Sequence, residues 1–320
     1  MSGGPHRVLV TRDSVSAQRG SVLVDYRSKP FPKVSVVVIT HNEGLNLRLT
    51  VENLQDTLPP NPEILVVDDN SSDGSTRFLK GTRGTVGLLR PRRRLGVARA
   101  RNYGADRASG GVIVFCDAHL CFPRNWCWPL TDLLADPLIG AVSPCISDQE
   151  APHCRGFGLR PSGPDLDVQW LNRKGNDPYP VPLLPGACLA MRRETFQATG
   201  GFDQGLILYG VEDCELSLRF WLLGYELWLV PAVEVAHQFR DQIAYAVDWR
   251  TVLHNRLRMA FLHLSEPRRE RVLQALKTYP AFQAALELVG KGDAAVRRAA
   301  LMTCRKYNDD WYFQRFGLGW

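Results

Sequence analysis

The sequence predicts an α/β fold: a mostly parallel sheet flanked by helices, followed by a helical C-terminal extension. Between residues 34 and 116, short apolar runs alternate with segments of helical period, which is typical of parallel strands joined by right-handed crossovers. The first run, VSVVVI at 34–39, is nearly continuous, as in strands that are buried on both faces. With 320 residues, 45% of them hydrophobic, the chain suits one large domain or one domain with an added lobe.

The predicted elements follow one another in a regular order up to residue 116. We predict strands at 34–39, 63–67, 86–89 and 112–116. We predict helices between these strands, at 47–58, 75–80 and 98–108. The first helix has leucine and valine at helical spacing and ends before two prolines.

The second half of the chain has weaker periodicity. The stretch 147–185 is rich in proline, glycine and aspartate, and a loop of that length in a compact domain is usually functional or mobile. Beyond it we predict strands at 187–191, 225–230 and 233–235, and helices at 194–198 and 212–223. The last helix carries a Glu215–Arg219 pair one turn apart. From about residue 248 onward the pattern is helical and charged.

Composition and charge narrow the classes of function. The net charge of +6 favours an anionic ligand such as a phosphate. No interleaved aromatic and basic motif of an RNA-binding sheet is visible, so we predict no nucleic-acid partner. The eight cysteines lack C-x-x-C spacing and are predicted to be free thiols. Since no apolar run reaches the roughly 20 residues of a membrane span and no signal-peptide core is visible, we predict a cytoplasmic protein without a transmembrane segment.

Polar side chains follow several of the predicted strands. Asp117 and His119 come directly after the strand at 112–116, and two residues apart on an extended segment they point to the same side. Their oxygen and nitrogen atoms can share one divalent cation, and ligands bind at this edge of an open α/β sheet. Similar polar groups occur at 40–43, 68–69 and 212–213. Turn chemistry explains each one singly, but together they predict a cleft.

Six motifs in a fixed order resemble one enzyme family. They are VSVVVITHNEG at 34–44, EILVVDDNSSDGST at 63–76, GVARARNYG at 96–104, FCDAHL at 115–120, GGFD at 200–203 and GVEDCELSLRFWLLGY at 210–225. The chain thereby resembles the family 2 glycosyltransferases, which have the GT-A fold, a Rossmann-like nucleotide-diphospho-sugar transferase fold. More narrowly, it resembles the polypeptide N-acetylgalactosaminyltransferases, on the strength of DAH at 117–119, CISDQ at 145–149, Trp170 and VAHQF at 235–239.

The resemblance implies three parts of the chain and a nucleotide-sugar site. The parts are an N-terminal arm at 1–32, a GT-A catalytic domain at 33–240, and a helical region at 241–320 for acceptor binding or oligomerisation. Asp69 is implied to accept a hydrogen bond from the imide N–H of uracil. Trp170 is implied to be either a lid that excludes water or an anchor for its loop. The remaining residues implied at the nucleotide, sugar or acceptor are Thr40, Asn42, Glu43, Arg101, Asp117, Gly186 and Asp203.

A metal site is implied by the same resemblance. Asp117 and His119 are implied to bind a divalent cation, with His237 as a third ligand from a distant strand. A mixed carboxylate and imidazole ligand set favours Mn²⁺, with Mg²⁺ as the alternative, because Mg²⁺ prefers oxygen ligands only. The metal would neutralise charge on the departing nucleoside diphosphate.

The pair Glu212 and Asp213 carries the implied mechanism. In inverting family 2 enzymes an aspartate at the position of Asp213 is the general base, whereas the retaining peptide-modifying transferases resemble GEN where this chain has VED. We therefore expect metal-dependent, inverting transfer of a hexose or N-acetylhexosamine from a UDP-sugar. The acceptor is a peptide, a glycan or a small metabolite.

Three alternatives remain open. One is a retaining polypeptide N-acetylhexosaminyltransferase. Another is a non-catalytic nucleotide-sugar-binding module. A nucleic-acid-binding protein is the third, and it rests on positive charge alone.

Overall fold

The computed structural model describes residues 9–10, 22–23, 32–60, 62–80, 86–240 and 247–320. The predicted N-terminal arm therefore lies almost entirely outside the described residues. Two short strands of the arm are described, and they pair antiparallel: β1 (Leu9–Val10) and β2 (Val22–Leu23).

The first half of the main sheet is parallel, as predicted. Its elements are β3 (Val34–Thr40), α1 (Leu45–Thr57), β4 (Glu63–Asp68), β5 (Val86–Leu89), α2 (Val97–Ala105) and β6 (Val112–Asp117). Strand β3 pairs in parallel with β4 and with β6, and β5 pairs with the far side of β4. The helix predicted at 75–80 is only a 3-10 turn, Arg77–Leu79. Gly74 there has a φ of 80° and Asp73 accepts from the Ser75 amide at 2.9 Å, local turn contacts that compete with a helix.

The second half of the sheet contains both parallel and antiparallel pairs. Its strands are β7 (Leu120–Cys121), β8 (Ile139–Asp148), β9 (Arg155–Gly156), β12 (Tyr179–Pro180), β13 (Cys188–Arg192) and β14 (Glu226–His237). Strands β10 (Leu159–Pro161) and β11 (Val168–Trp170) pair with each other in a separate antiparallel sheet. Its helices are α3 (Cys127–Leu133), α4 (Arg193–Ala198) and α5 (Glu212–Leu223). The main path is β12-β14-β8-β13-β6-β3-β4-β5. In it β13 is antiparallel to β6 and β8, while β8 and β14 are parallel.

Two differences from the predicted strands concern the middle of this sheet. Strand β8 is absent from the predicted elements because Ser143 and Pro144 interrupt its apolar run. The two strands predicted at 225–230 and 233–235 form the single strand β14, whose register against β8 shifts between Val230 and Glu234. Such a shift is a bulge, which keeps pairing while it bends the strand.

Both faces of the parallel strands are buried. Along β3, Val37 packs into one hydrophobic cluster, with α2, whereas Val36 and Val38 pack into a second cluster, with α1. This alternation is the period-2 geometry of a strand with helices on both sides. All eight cysteines lie in the described ranges and are free thiols, as predicted.

The C-terminal region is helical and packs against the sheet domain. Its helices are α6 (Trp249–His263), α7 (Glu266–Leu276), α8 (Phe282–Lys291), α9 (Ala294–Cys304) and α10 (Asp309–Phe316). Leu257 and Tyr312 belong to the same buried cluster as Val37 of β3. Because the core is shared, these helices are a structural part of the domain. None of the helices in the described ranges is both long and apolar enough to cross a bilayer.

A buried ion network joins α5 to α6. The predicted Glu215–Arg219 pair is present, with Nε to Oε1 at 2.8 Å, and both side chains are buried. The ring of His263 on α6 lies 2.9 Å from the same carboxylate. Burial alone would raise the pKa of Glu215, but the Arg219 guanidinium and the His263 ring hold it well below its usual range. The contact of His263 with the Glu215 carboxylate therefore ties α5 to α6 inside the core.

Candidate active site

A cavity of about 450 Å³ opens at the carboxyl ends of β3, β4 and β6. This is the edge where ligands bind in open α/β sheets. All but two of the residues that the sequence points to line it; the residues brought together are Thr40, Glu43, Asp69, Arg101, Asp117, His119, Trp170, Gly186, Glu212, Asp213 and His237. Asn42 and Asp203 are not among the lining residues.

Three side chains converge at a candidate metal centre. His119 Nε2 lies 3.1 Å from His237 Nε2, and His237 Nε2 lies 3.6 Å from Asp117 Oδ2. One ligand atom from each residue falls within 4.8 Å of the others, and in the part of the chain that the structure describes no other His, Cys, Asp and Glu group has such spacing. Asp117 ends β6 and His237 ends β14. The sheet thus brings together residues that lie 120 positions apart in the sequence.

The charge balance of this centre suits a cation. Burial alone would raise the pKa of Asp117, but His237, Arg101 and His119 keep it below its usual range. An ionised carboxylate beside two imidazole nitrogens is a donor set that fits Mn²⁺.

Glu43 orients His119. Its Oε2 lies 3.2 Å from His119 Nδ1 and also pairs with Arg240. Burial opposes ionisation of Glu43, but the hydrogen bonds from His119 and Arg240 lower its pKa. When Nδ1–H donates to this carboxylate, Nε2 is left free to bind a metal, the arrangement usual for histidine ligands. Arg240 is absent from the predicted site, although it directly follows the VAHQF motif.

Arg101 holds the acidic groups of the cavity in place. It is 2% exposed; its Nη1 donates to Glu212 at 3.1 Å, and its Nη2 donates to Asp117 at 3.3 Å and to the Gly186 carbonyl at 2.8 Å. The resemblance implies that Arg101 faces the nucleotide. It lines the cavity, but these three partners occupy most of its donors.

Glu212 and Asp213 begin α5 and differ in environment. Burial raises the pKa of Glu212 to about 7, with Arg101 opposing the rise and the Asp213 charge adding to it. Asp213 accepts from the Gly186 amide and from the Cys214 amide, both at 2.8 Å. A Cβ on Gly186 would approach Arg101 and Asp213 to 3.2 Å. Gly186 therefore allows close contact of the backbone with both charged groups.

One wall of the cavity is built from the ends of β3 and β4. The carboxylate of Asp69 accepts from the Leu95 amide at 2.6 Å and the Gly96 amide at 2.9 Å. Thr40 lines the cavity, and its Oγ1 is buried without a hydrogen-bond partner. Asn42 instead has a φ of 58° and accepts from the Ser72 amide at 2.8 Å. Its side chain stabilises the turn, the other role that turn chemistry allows an asparagine.

Trp170 lies at the rim of the cavity, 39% exposed. Its ring packs edge-on against Phe239 with centroids 6.2 Å apart, and Gly156 lies directly beneath it. Tyr209 and Phe239 also line the cavity and are about 40% exposed. Neither belongs to the predicted site residues. An aromatic rim of this kind is a surface that suits apolar or planar parts of a ligand.

Asp203 lies outside the cavity, contrary to what the resemblance implies. The resemblance implied that it contacts the sugar or acceptor, but it is fully buried outside the cavity. It accepts from Arg258 Nε at 2.5 Å and Nη2 at 3.0 Å, and Arg297 Nε lies 2.8 Å away. Buried carboxylates need such compensation, and the two arginines from α6 and α9 provide it. Asp203 therefore anchors the C-terminal helices.

Comparison with known proteins agrees with this geometry. The family model "Glycosyl transferase family 2" matches residues 35–200, and "N-terminal domain of galactosyltransferase" matches residues 172–241. The human protein "Polypeptide N-acetylgalactosaminyltransferase 15" is 34% identical over 72% of this chain and 39% of its own length. "Polypeptide N-acetylgalactosaminyltransferase 11" of Xenopus tropicalis is 31% identical over 82% of this chain and 47% of its own length.

Two further comparisons are with a relative described as inactive and with a solved structure. "Inactive polypeptide N-acetylgalactosaminyltransferase-like protein 5" of Macaca fascicularis is 30% identical over 73% of this chain and 58% of its own length. The chain thus spans about half the length of the curated relatives it matches. A crystal structure of GalNAc-T7 with UDP, GalNAc and Mn²⁺ superposes with a TM-score of 0.73 at 22% identity, covering 89% of this chain and 56% of that one. This likeness confirms the predicted GT-A fold with its helical C-terminal region. The chain belongs to glycosyl transferase family 2.

Proposed function

We propose that this chain is a metal-dependent glycosyltransferase that moves an N-acetylhexosamine from a UDP-sugar to a polypeptide. The observation that carries the proposal is the convergence of Asp117, His119 and His237 in one cavity with the Asp69 carboxylate. The resemblance to polypeptide N-acetylgalactosaminyltransferases over 72% and 82% of the chain supports the same donor and acceptor.

Asp117, His119 and His237 would hold the metal, for which Mn²⁺ fits the donor set better than Mg²⁺. When bound, the metal supplies Lewis-acid stabilisation of the leaving diphosphate. Arg240 adds a positive charge at the same wall of the cavity. Glu43 keeps His119 in the orientation that presents Nε2.

Asp69 is proposed to recognise the base. A carboxylate has about four lone-pair positions, and the Leu95 and Gly96 amides use two of them. The remaining positions can accept from the imide N–H of uracil. The solved relative that contains UDP, GalNAc and Mn²⁺ supports a UDP-sugar as donor.

The stereochemistry of transfer separates two candidate reactions, one inverting and one retaining. Asp213 lines the cavity, which favours the predicted inverting reaction with this carboxylate as the general base. Both of its oxygens already accept backbone N–H groups, which supports a positioning role and the retaining polypeptide reaction instead. Burial raises the pKa of Glu212 to about 7, so its carboxyl group is about half protonated at that pH, and it lines the same cavity as Asp213.

A screen of UDP release tests the proposal. The purified chain is incubated with UDP-GalNAc, UDP-GlcNAc or UDP-glucose, with Mn²⁺ or EDTA, and with or without a Ser/Thr-rich peptide. We expect release that needs metal and increases with peptide. The anomeric configuration of the product, determined by NMR, then separates retention from inversion. Release insensitive to EDTA would exclude the metal centre, and binding of UDP and Mn²⁺ without transfer or hydrolysis would identify a non-catalytic module.

Two further proposals concern the C-terminal helices and the location of the protein. We propose that the helical region at 241–320, of which 241–246 lie outside the described residues, contributes to acceptor binding or self-association, to be tested by peptide titration and by sedimentation. The cytoplasmic location stays a prediction, to be tested by cell fractionation.

A further inference from the structure

The segment that leads into Glu212 has an uncommon backbone. This segment, residues 206–211, is called the strap below. Leu208 and Val211 have φ values of 52° and 59°, and Gly210 has a φ of 104°. Leucine and valine rarely adopt this left-handed region, so the surrounding structure must hold the strap in place.

Asn255 of α6 holds the strap from outside the cavity. Its Oδ1 accepts from the Ile207 amide at 2.8 Å. Its Nδ2 lies 2.9, 3.1 and 3.2 Å from the carbonyl oxygens of Ile207, Tyr209 and Gly210. The side chain is 1% exposed, and His254 Nδ1 lies 2.9 Å from Oδ1. One buried amide group therefore contacts four backbone groups of the strap, with its two N–H donors shared among the three carbonyl oxygens.

The opposite side of the strap touches the wall of the cavity that carries Asp69. The Val97 amide donates to the Leu208 carbonyl at 2.7 Å, and Gly96 forms a bridge with Leu208. A Cβ on Gly96 would overlap the Leu208 backbone. Gly96 is itself held by Asp69, so this side of the contact does not depend on Asn255.

The strap presents groups to the cavity. Leu208 and Tyr209 line it, and the Gly210 amide donates to Glu212 Oε2 at 3.2 Å. The position of the Glu212 carboxylate between this amide and Arg101 thus depends on the conformation of the strap.

We propose that Asn255 is a positioning residue for sugar transfer, which it serves by fixing the strap and, through the strap, Glu212 and the wall formed by Leu208 and Tyr209. This inference rests on the proposed glycosyltransferase function. The metal ligands and Asp69 lie at strand ends that Asn255 does not contact. Loss of Asn255 is therefore expected to reduce turnover and leave donor binding intact.

The test compares Asn255→Ala with Asn308→Ala, which removes the cap of α10 at the Trp311 amide away from the cavity. Hydrogen exchange of the strap amides, the affinity for UDP with Mn²⁺, and kcat and KM for peptide are measured on each. For Asn255→Ala we expect exchange at 207–211 to be about tenfold faster, since hydrogen bonds to the strap are lost. We expect kcat to fall about 100-fold, with UDP affinity within about twofold of the parent. Asn308→Ala should change none of these quantities.

Two results would overturn the proposal: unchanged exchange in the strap, or unchanged kcat per UDP-binding site with only a lower Tm. Asn255→Ser, which keeps a small polar group, is measured in parallel in case the alanine variant does not fold, and it must meet the same criteria. If the parent chain neither transfers nor hydrolyses any UDP-sugar, the proposed function fails. The exchange data then still decide whether Asn255 holds the strap.

Discussion

Asp203→Asn tests whether the aspartate of the GGFD motif is structural. Asp203→Asn removes the negative charge between Arg258, which is 1% exposed, and Arg297. Removing one partner of a buried ion pair leaves an uncompensated charge and typically costs about 3–5 kcal/mol. We expect a loss of that size in the free energy of unfolding, measured by urea titration. The Tm should fall by about 4–7 °C, because the unfolding entropy of a chain of 320 residues is large.

The chain provides a matched control for this variant. Arg258 also pairs with Asp293 at 2.7 Å, but the Asp293 side chain is 65% exposed. Exposed pairs contribute about 0–1 kcal/mol, so Asp293→Asn should lower the free energy of unfolding by no more than that. The reasoning is refuted if Asp203→Asn destabilises no more than Asp293→Asn does while raising the KM for the UDP-sugar. That result would return Asp203 to the sugar site.

Three further predictions concern the cavity. His237→Ala should weaken Mn²⁺ binding at least about tenfold by calorimetry, because it removes one of three protein ligands; equal affinity would contradict the assigned centre. The raised pKa of Glu212, about 7 against an ordinary 4.5, means that the folded metal-free protein binds this proton more tightly. Its contribution to stability is therefore full below pH 4.5 and is lost as pH rises through 7, by roughly 3 kcal/mol in all. Glu212→Gln should remove this part of the pH dependence in urea titrations from pH 4.5 to 8, and a parallel curve would argue against the shift. Trp170→Ala should increase UDP-sugar hydrolysis relative to transfer severalfold if the ring excludes water; an unchanged ratio would leave Trp170 as an anchor for its loop.

The sequence predicted the parallel half of the fold and most of the cavity. The run at 34–39 is nearly all apolar because β3 is buried on both faces. This pattern does not depend on which strands lie beside β3. The side chains after β3, β4 and β6 could be assigned to one edge, since parallel strands end on the same side. The order of the motifs then led to His237, which no local pattern connects to Asp117.

Other features depend on packing between segments that are distant in the sequence. Strand β8 is stabilised by β13 and β14 in spite of Ser143 and Pro144, and pairing of this kind leaves little local periodicity. The GGFD motif does not indicate whether its aspartate contacts a sugar or an arginine. Only the packing of α6 and α9 shows that Asp203 pairs with Arg258 and Arg297.

The sequence by itself determined the fold class, the family and the residue types that meet at the cavity, because strand periodicity and short motifs are local properties of the chain. Only the tertiary structure decided which charges are buried and what each one contacts. It showed Glu43 joining His119 to Arg240, Arg101 occupied by Glu212 and Asp117, and Asn255 holding the strap. The physical reason is that burial and hydrogen bonding depend on which groups are neighbours in the folded chain. In these pairs the two partners lie far apart in the sequence.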